Sequence, residues 1–86
     1  MKNAQVRCEE ATRRLAGALD KHYAKSYDDV GAYECDYNTV YGGAVIAEIT
    51  NTSGAISHPF GMMRRKPQDF IDTINFTLHV ISELKS

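Results

Sequence analysis

The side chains best suited to recognition chemistry in this 86-residue chain are tyrosines and carboxylates that share one stretch of sequence. All five tyrosines lie between Tyr23 and Tyr41, and residues 28–48 hold five acidic side chains but no lysine or arginine. Tyrosine offers a large contact area at low entropic cost, and a local anionic field attracts cationic partners. We therefore predict a surface that binds a basic site on a protein partner. Its residues are Tyr27, Asp28, Asp29, Glu34, Asp36, Tyr41 and Glu48.

A second charged feature is the basic triplet Arg64, Arg65 and Lys66. It stands directly before a predicted helix, whose first backbone N–H groups also attract anions. The triplet is therefore the candidate nucleic-acid contact, acting through phosphate groups. A solvated loop is the alternative interpretation, because three adjacent charges are common on protein surfaces.

The sequence carries no recognised catalytic or metal-binding pattern. It has no nucleophile elbow, phosphate-binding loop, Cys-x-x-Cys or His-Glu-x-x-His arrangement. Cys8 and Cys35 are interpreted as buried free thiols of a reducing cytosol. His58 precedes Pro59 on an apolar run and is interpreted as a core residue. We therefore predict no enzymatic activity, no catalytic residue, no metal site and no cofactor.

The composition is that of an ordinary globular domain, 43% apolar and 24% charged with a net charge of −1. A chain of this length predicts one domain that spans residues 1–86. No apolar run approaches the ~20 residues that cross a membrane, and the N-terminal stretch lacks the apolar middle of a signal peptide. We therefore expect a cytoplasmic protein without a membrane span.

Helical patterns occupy both ends of the chain. Apolar residues at spacings of three and four predict an amphipathic helix from Ala4 to Lys25. A second helix is predicted from Pro67, because proline suits the first helical position and Asp69 suits the first turn. The apolar stripe of this second helix runs from Phe70 to Leu84.

Between the two helices the apolar period falls from 3.6 to 2. Three alternating runs begin at Tyr33, Val45 and Ile56, and the last continues to Met62. Glycine-rich turn sequences separate the runs, at residues 42–43 and 51–54. The sequence therefore predicts an α+β fold in the order α-β-β-β-α, with a three-stranded antiparallel meander packed against two helices.

Parity of the apolar positions predicts the strand register. A three-residue loop, Tyr41-Gly42-Gly43, keeps the odd-numbered positions on one face and pairs Tyr37 with Ala47. The same register sets Asp36 opposite Glu48, a like-charge pair on the outer face. We interpret this pair either as a solvated acidic face or as a site for a cationic partner.

The element order, with basic residues before the last helix, resembles the double-stranded RNA-binding domain. The resemblance covers most of the chain as topology, together with Arg64, Arg65 and Lys66. It implies that these three residues contact RNA phosphates. The chain departs from the family's pattern at residues 41–43, where the family has a Gly-Pro-x-His-type turn, and at residues 67–69, where it has lysines.

Three functional hypotheses follow. The leading one is a non-enzymatic inhibitor or adaptor that binds a protein partner through the acidic, tyrosine-rich surface. In size and charge such a chain is similar to phage- or plasmid-encoded inhibitors, including anti-CRISPR proteins. The second is a small nucleic-acid-binding domain. The third is a homodimer, a ligand-binding or structural module, in which the last helix buries Phe76 and Val80.

Overall fold

Two helices and a three-stranded antiparallel sheet make up the structure, a computed structural model that describes residues 3–85. In chain order the elements are α1 (Ala4–Ala18), β1 (Tyr33–Asn38), β2 (Gly43–Ile49), β3 (Ile56–Ser57) and α2 (Pro67–Lys85). The predicted α+β class and the order α-β-β-β-α are confirmed. The central strand of the sheet is β2.

The start of α1 is set by a side-chain cap. Asn3 precedes the helix in an extended conformation, and its side-chain oxygen accepts a hydrogen bond from the Val6 N–H at 2.8 Å. Such a cap satisfies one of the N–H groups that have no partner within the helix. Gly17 lies near the other end, and a Cβ atom built there would meet no atom within 4 Å.

The end of α1 comes earlier than the sequence predicts. Asp20 adopts a left-handed conformation with φ of 57°, and the Lys21 N–H donates to the Ala16 carbonyl at 2.8 Å. This bond closes the helix in the manner of a Schellman motif. The predicted extension to Lys25 is wrong, because the apolar position at Tyr23 belongs to the following loop, where it bridges to Tyr33 of β1.

The two helices run parallel to each other on one face of the sheet. Polar contacts across their seam follow the same order along both helices, since Arg7 donates to Gln68 at 3.2 Å and Arg14 donates to Asn75 at 3.1 Å. The main core lies beneath this seam. Its buried members are Cys8, Ala11, Leu15, Ala16, Tyr33, Ala44, Ile46, Phe70, Ile71 and Ile74.

The β1–β2 register differs from the predicted one. Tyr33 pairs with Glu48 and Tyr37 pairs with Ala44, so Asp36 lies opposite Val45. The predicted like-charge pair of Asp36 and Glu48 is therefore wrong. Parity could not identify the register because almost every residue of β2 is buried, on both faces of the sheet.

The β1–β2 loop explains the shift. It spans residues 39–42, one residue more than predicted, because the ladder closes with Asn38 opposite Gly43. The Asn38 side-chain oxygen accepts hydrogen bonds from the N–H groups of Val40 and Tyr41, an Asx-type turn. Gly42 and Gly43 both have positive φ, which L residues with side chains rarely adopt.

The third strand is much shorter than the predicted run from Ile56 to Met62. It ends at Ser57 because Pro59 cannot donate to a ladder and the next residues turn, with the Gly61 N–H donating to the His58 carbonyl at 3.1 Å. His58, predicted as a core residue, is only half-buried at this turn.

Beyond that turn the chain returns to the edge of β2. Arg65 and Ala44 exchange two backbone hydrogen bonds, of 2.8 and 2.9 Å. Ser57 pairs with Glu48, and Arg65 pairs with Ala44. The chain therefore has residues 58–64 between these two pairs, whereas β2 has only residues 45–47. Residues 58–64 therefore bulge away from the sheet edge, and we call them the bulge loop.

Candidate functional site

The carboxylates of the predicted acidic surface do not face one partner. Asp36 accepts from the Arg64 guanidinium at 2.8 Å, and the Glu48 carboxylate lies 3.5 Å from the Lys21 ammonium. Glu48 is paired with Tyr33, a core residue, whereas Asp36 is three positions further along β1. Because side chains alternate along a strand, Asp36 and Glu48 lie on opposite faces of the sheet.

The two aspartates before β1 hold their own loop together. Both carboxylate oxygens of Asp29 lie 2.9 Å from His22 Nε2, and the Lys25 backbone N–H donates to one of them at 3.1 Å. The Lys25 N–H first, and the His22 ring next, lower the pKa of Asp29 below its ordinary value. Asp28 accepts from the Ser26 hydroxyl. Asp29 therefore serves local structure.

The two exposed tyrosines of the predicted surface are far apart. Tyr27 is 70% exposed and packs beside Gly54 in the turn after β2, whereas Tyr41 is 71% exposed in the loop at the other end of the sheet. A strand of the length of β1 spans about 20 Å. The side chain of Glu34 is half-buried and makes no hydrogen bond or ion pair within residues 3–85, although its backbone pairs with Ala47. The seven predicted residues therefore do not form one continuous surface.

The basic triplet is divided between internal and exposed positions. Arg64 crosses the sheet and donates to the Asp36 carbonyl at 2.9 Å and the Gly43 carbonyl at 3.1 Å, besides its ion pair with the Asp36 carboxylate. Arg65 pairs with Asp69 at 3.1 Å. Lys66 is exposed. Of these three residues, Lys66 alone has no acidic partner within residues 3–85.

Another pair of cations lies on the seam between the helices. Arg7 and Arg14 donate to the amide oxygens of Gln68 and Asn75, which are neutral acceptors. Arg14 follows Arg7 by seven positions along α1, so the two arginines lie on nearly the same side of that helix. The sequence prediction of a phosphate contact relied on the basic triplet and did not include this pair, although the spacing of Arg7 and Arg14 is visible in the sequence.

The two cysteine thiols are suited to packing and poorly suited to nucleophilic chemistry. Burial raises the pKa of Cys35 to about 12 and also raises the pKa of Cys8 above its ordinary value. A thiol with a raised pKa is seldom the reactive thiolate at neutral pH. Within residues 3–85 no three His, Cys, Asp or Glu side chains are grouped as metal ligands would be.

An apolar cleft of about 100 Å³ opens between the bulge loop, the edge of β2 and α2. Among the residues that line it are Leu15, Ile46, Phe60, Met63, Thr73 and Thr77. Met63 at its rim is 74% exposed, and Phe60 is about half exposed. The sequence prediction missed this cleft, because it assigned residues 58–62 to a regular strand.

The apolar surface continues from the cleft along α2. Thr73 and Thr77 line the cleft, and Phe76, Val80 and Leu84 follow them at spacings of three and four, on the adjoining side of the helix. Phe76 is 68% exposed, and Val80 and Leu84 are also exposed. We call Phe60, Met63, Phe76, Val80 and Leu84 the cleft surface.

Comparisons of the chain with protein-family models, with curated protein sequences and with solved structures find no match in any of the three. Among the described residues, neither helix is long and apolar enough to cross a membrane. The function must therefore be inferred from the geometry of the molecule itself.

Proposed function

We propose that this protein is a non-enzymatic interaction module, an inhibitor or adaptor that contacts a protein partner through the cleft surface. The observation that supports this proposal is the row of exposed apolar side chains that begins at the rim of the cleft and continues along the adjoining side of α2. Contiguous apolar patches are uncommon on monomeric proteins and mark interaction sites. Aromatic and methionine side chains such as Phe76 and Met63 are also enriched in interface cores. The absence of catalysis and the cytoplasmic location stay predictions.

The experiment is affinity capture from the native cell with the tagged full-length chain, followed by mass spectrometry. Phe76→Glu places a charge on the cleft surface at a side chain that is 68% exposed, so the fold should tolerate it. Val30→Glu is the matched control, because Val30 is half exposed in the loop before β1, beside the opposite end of β2. Circular dichroism verifies that both variants fold.

Under the proposal, wild type and Val30→Glu retain the captured partner and Phe76→Glu loses it, with at least a tenfold drop in affinity. Retention by a folded Phe76→Glu would overturn the assignment of the cleft surface. Loss with Val30→Glu alone would move the contact to the other end of the sheet.

That other end retains part of the predicted acidic surface. Tyr27 is well exposed there, Asp28 is exposed, and Glu34 makes no ion pair within residues 3–85. This second candidate surface would bind a basic site on a partner, with tyrosine as the central contact. Asp28→Lys combined with Glu34→Lys should then abolish capture, and unchanged capture would exclude it.

Nucleic-acid binding remains a candidate because Arg7 and Arg14 have neutral partners on the helix seam. Phosphate contacts would make binding fall steeply with salt concentration. Arg7→Ala combined with Arg14→Ala should reduce binding of a double-stranded RNA probe and the slope of its salt dependence. An RNA affinity that is unchanged by these substitutions would exclude the seam as the contact.

A homodimer would use the same apolar residues of α2 that we assign to a partner. Sedimentation at micromolar concentration separates the two cases. A dimer that Phe76→Glu converts to a monomer would identify a second copy of the chain as the occupant. A monomer in both proteins leaves the cleft surface available for a different protein.

A further inference from the structure

We infer that the partner segment on the cleft surface is a cationic amphipathic helix, which inserts one aliphatic side chain into the cleft and directs lysine or arginine side chains to acidic residues of α2. This inference rests on the proposed function, because it specifies the chemistry of the partner at the same surface. The acids concerned belong to the last helix and lie outside the acidic stretch of residues 28–48.

Three acidic residues of α2 border the cleft surface. Asp69 and Glu83 lie seven positions before and after Phe76, and Asp72 lies four positions before it. All three therefore lie on the side of the helix that Phe76 occupies. All three are exposed. We call Asp69, Asp72 and Glu83 the acidic row.

Two members of the acidic row have contacts that leave negative charge at the surface. Asp72 accepts from the side-chain amide of Gln68 at 2.9 Å, a neutral donor. Asp69 pairs with Arg65 at 3.1 Å, but the side chain of Arg65 is 42% exposed and that of Asp69 is 59% exposed. Exposed pairs of this kind are weak, so a cation of a partner can share the Asp69 carboxylate.

The end of the helix continues the negative charge on the same side. Glu83 lies 3.9 Å from the ring of His79, which is charged only when protonated. Lys85, the only lysine or arginine of α2, turns to the seam between the helices and donates to the Ala18 carbonyl at 3.0 Å. The acidic row therefore forms an anionic border that attracts cationic side chains.

The opposite border of the cleft is apolar. Met63 at the rim is 74% exposed and Phe60 is about half exposed, and both belong to the bulge loop. The cleft between this loop and α2 has a volume of about 100 Å³. An apolar cavity of about 150 Å³ accommodates benzene, so this space suits one branched aliphatic side chain. A partner must therefore be apolar over the cleft and basic on one side.

The spacing of the apolar side chains along α2 matches the anchors of a helix. Val80 follows Thr73 by seven positions, and Leu84 follows Thr77 by seven, so each pair lies on one side of α2 about 10 Å apart. A helix that lies along this row has its own residues i and i+7 at the same separation. Its residue i would enter the cleft beside Thr73 and Thr77, and its residue i+7 would cover Val80 and Leu84.

Charge also distinguishes this occupant from a second copy of the chain. A two-fold axis perpendicular to two antiparallel helices keeps the same flank of each helix on the same side. Two copies of α2 that pack antiparallel through Phe76 and Val80 would therefore bring their acidic rows together, and like charges repel. A cationic helix meets the same row with attraction.

The test begins with selection of helical peptides of about 15 residues, which is about four turns, on the immobilised full-length protein. We expect the selected sequences to carry aliphatic residues at spacings of three, four and seven, with an excess of lysine and arginine beside them. The strongest peptide is then titrated into ¹⁵N-labelled protein. The amide resonances of Thr77 and Val80 should shift, and binding should weaken as the salt concentration rises.

Charge reversal at the acidic row tests the role of its carboxylates. Asp72→Lys combined with Glu83→Lys should weaken binding of the selected peptide at least tenfold. The matched control is Asp28→Lys combined with Glu34→Lys, which changes the net charge equally at the other end of the sheet and should weaken binding less than threefold. Circular dichroism verifies that both proteins fold.

A second arm fills the cleft. Thr77→Met adds volume at a half-buried lining position, and Thr50→Met is the control at an exposed position just beyond β2. We expect only Thr77→Met to weaken peptide binding, by at least tenfold. Three results would each overturn the inference, namely selection that yields no peptide above background, selected peptides without a basic excess, or equal binding by the charge-reversed protein and its control.

The test also separates the inference from the proposed function. Loss of partner capture in Phe76→Glu, with capture unchanged by Asp72→Lys and Glu83→Lys, would retain the interaction module and overturn the cationic helix. Peptide binding that requires these two acids, without capture of any partner, would retain the cationic-helix site and remove the inhibitor or adaptor. A dimer that Phe76→Glu dissociates and that the peptide does not displace would make a second copy the occupant and would overturn the inference.

Discussion

Replacement of Arg64 by methionine should destabilise the fold although Arg64 belongs to a triplet of adjacent charges. Methionine keeps most of the aliphatic stem and removes the guanidinium. That group donates to the Asp36 carboxylate and to the carbonyls of Asp36 and Gly43, at 2.8 to 3.1 Å. These hydrogen bonds connect the bulge loop to Asp36 of β1 and Gly43 of β2.

The magnitude follows from the partial burial of this pair. The side chain of Arg64 is 20% exposed and that of Asp36 is 36% exposed. Removing one partner of a buried pair costs about 3–5 kcal/mol, whereas an exposed pair contributes less than about 1 kcal/mol. We expect a loss of about 2 kcal/mol, which corresponds to a fall in Tm of roughly 8–16 °C for a domain of this size.

The assay is urea unfolding followed by circular dichroism. Lys66→Met is the matched control, because it removes the neighbouring charge at an exposed position and should change stability by less than about 0.5 kcal/mol. A double-mutant cycle with Asp36→Asn should give a coupling energy of about 1 kcal/mol. Equal stabilities of Arg64→Met and Lys66→Met would refute the structural role of Arg64.

Three further predictions concern stability. Gly17→Ala should raise the unfolding free energy by about 1 kcal/mol, since the added methyl meets nothing and alanine favours helix; a lower urea midpoint would contradict this. Gly43→Ala should lower the unfolding free energy by about 3 kcal/mol, because its Cβ would lie 2.0 Å from the Arg65 carbonyl oxygen. Gly61 has positive φ but open space around it, so Gly61→Ala should lower the unfolding free energy by about 1 kcal/mol. Equal falls in Tm of the two variants would show that the clash is not the cause. Burial raises the pKa of Cys35 to about 12, so the folded state favours the protonated thiol. The stabilisation of the folded state by this thiol is therefore complete below about pH 9 and is lost as the pH rises toward 12. Unfolding midpoints at pH 8 and pH 10 should therefore differ more in wild type than in Cys35→Ala, and identical differences would contradict the burial of the thiol.

The order of the elements could be predicted because each has a local signal. Pro67 and the apolar spacing after it identify α2, and the change of period at Tyr33 identifies β1. The register could not be predicted, because β2 is buried on both faces and offers no polar side to align. Asn38 is the local signal for the longer loop, because an asparagine side chain accepts hydrogen bonds from backbone N–H groups two residues on.

The candidate site depended on contacts that local sequence does not encode. The Arg64–Asp36 and Lys21–Glu48 ion pairs join residues that are distant in sequence. Asp36 and Glu48 are therefore near each other in the acidic stretch of the sequence but are paired with different cations on opposite faces of the sheet. The cleft arises from a break in a strand. Pro59 was the visible signal for that break, since proline in an apparent strand argues against regular pairing.

The parallel placement of α1 and α2 has a consequence for how the molecule assembles. The β1–β2 hairpin joins neighbouring segments, but Arg7 meets Gln68 and Ala18 meets Lys85 only when the two ends of the chain come together. Distant segments meet slowly because a long loop must close first. The hairpin can therefore form early, and the last helix completes the hydrophobic interior. A nascent or proteolytically clipped chain without that helix would expose to solvent the part of the sheet that α2 covers, along β2, while α1 still packs on β1.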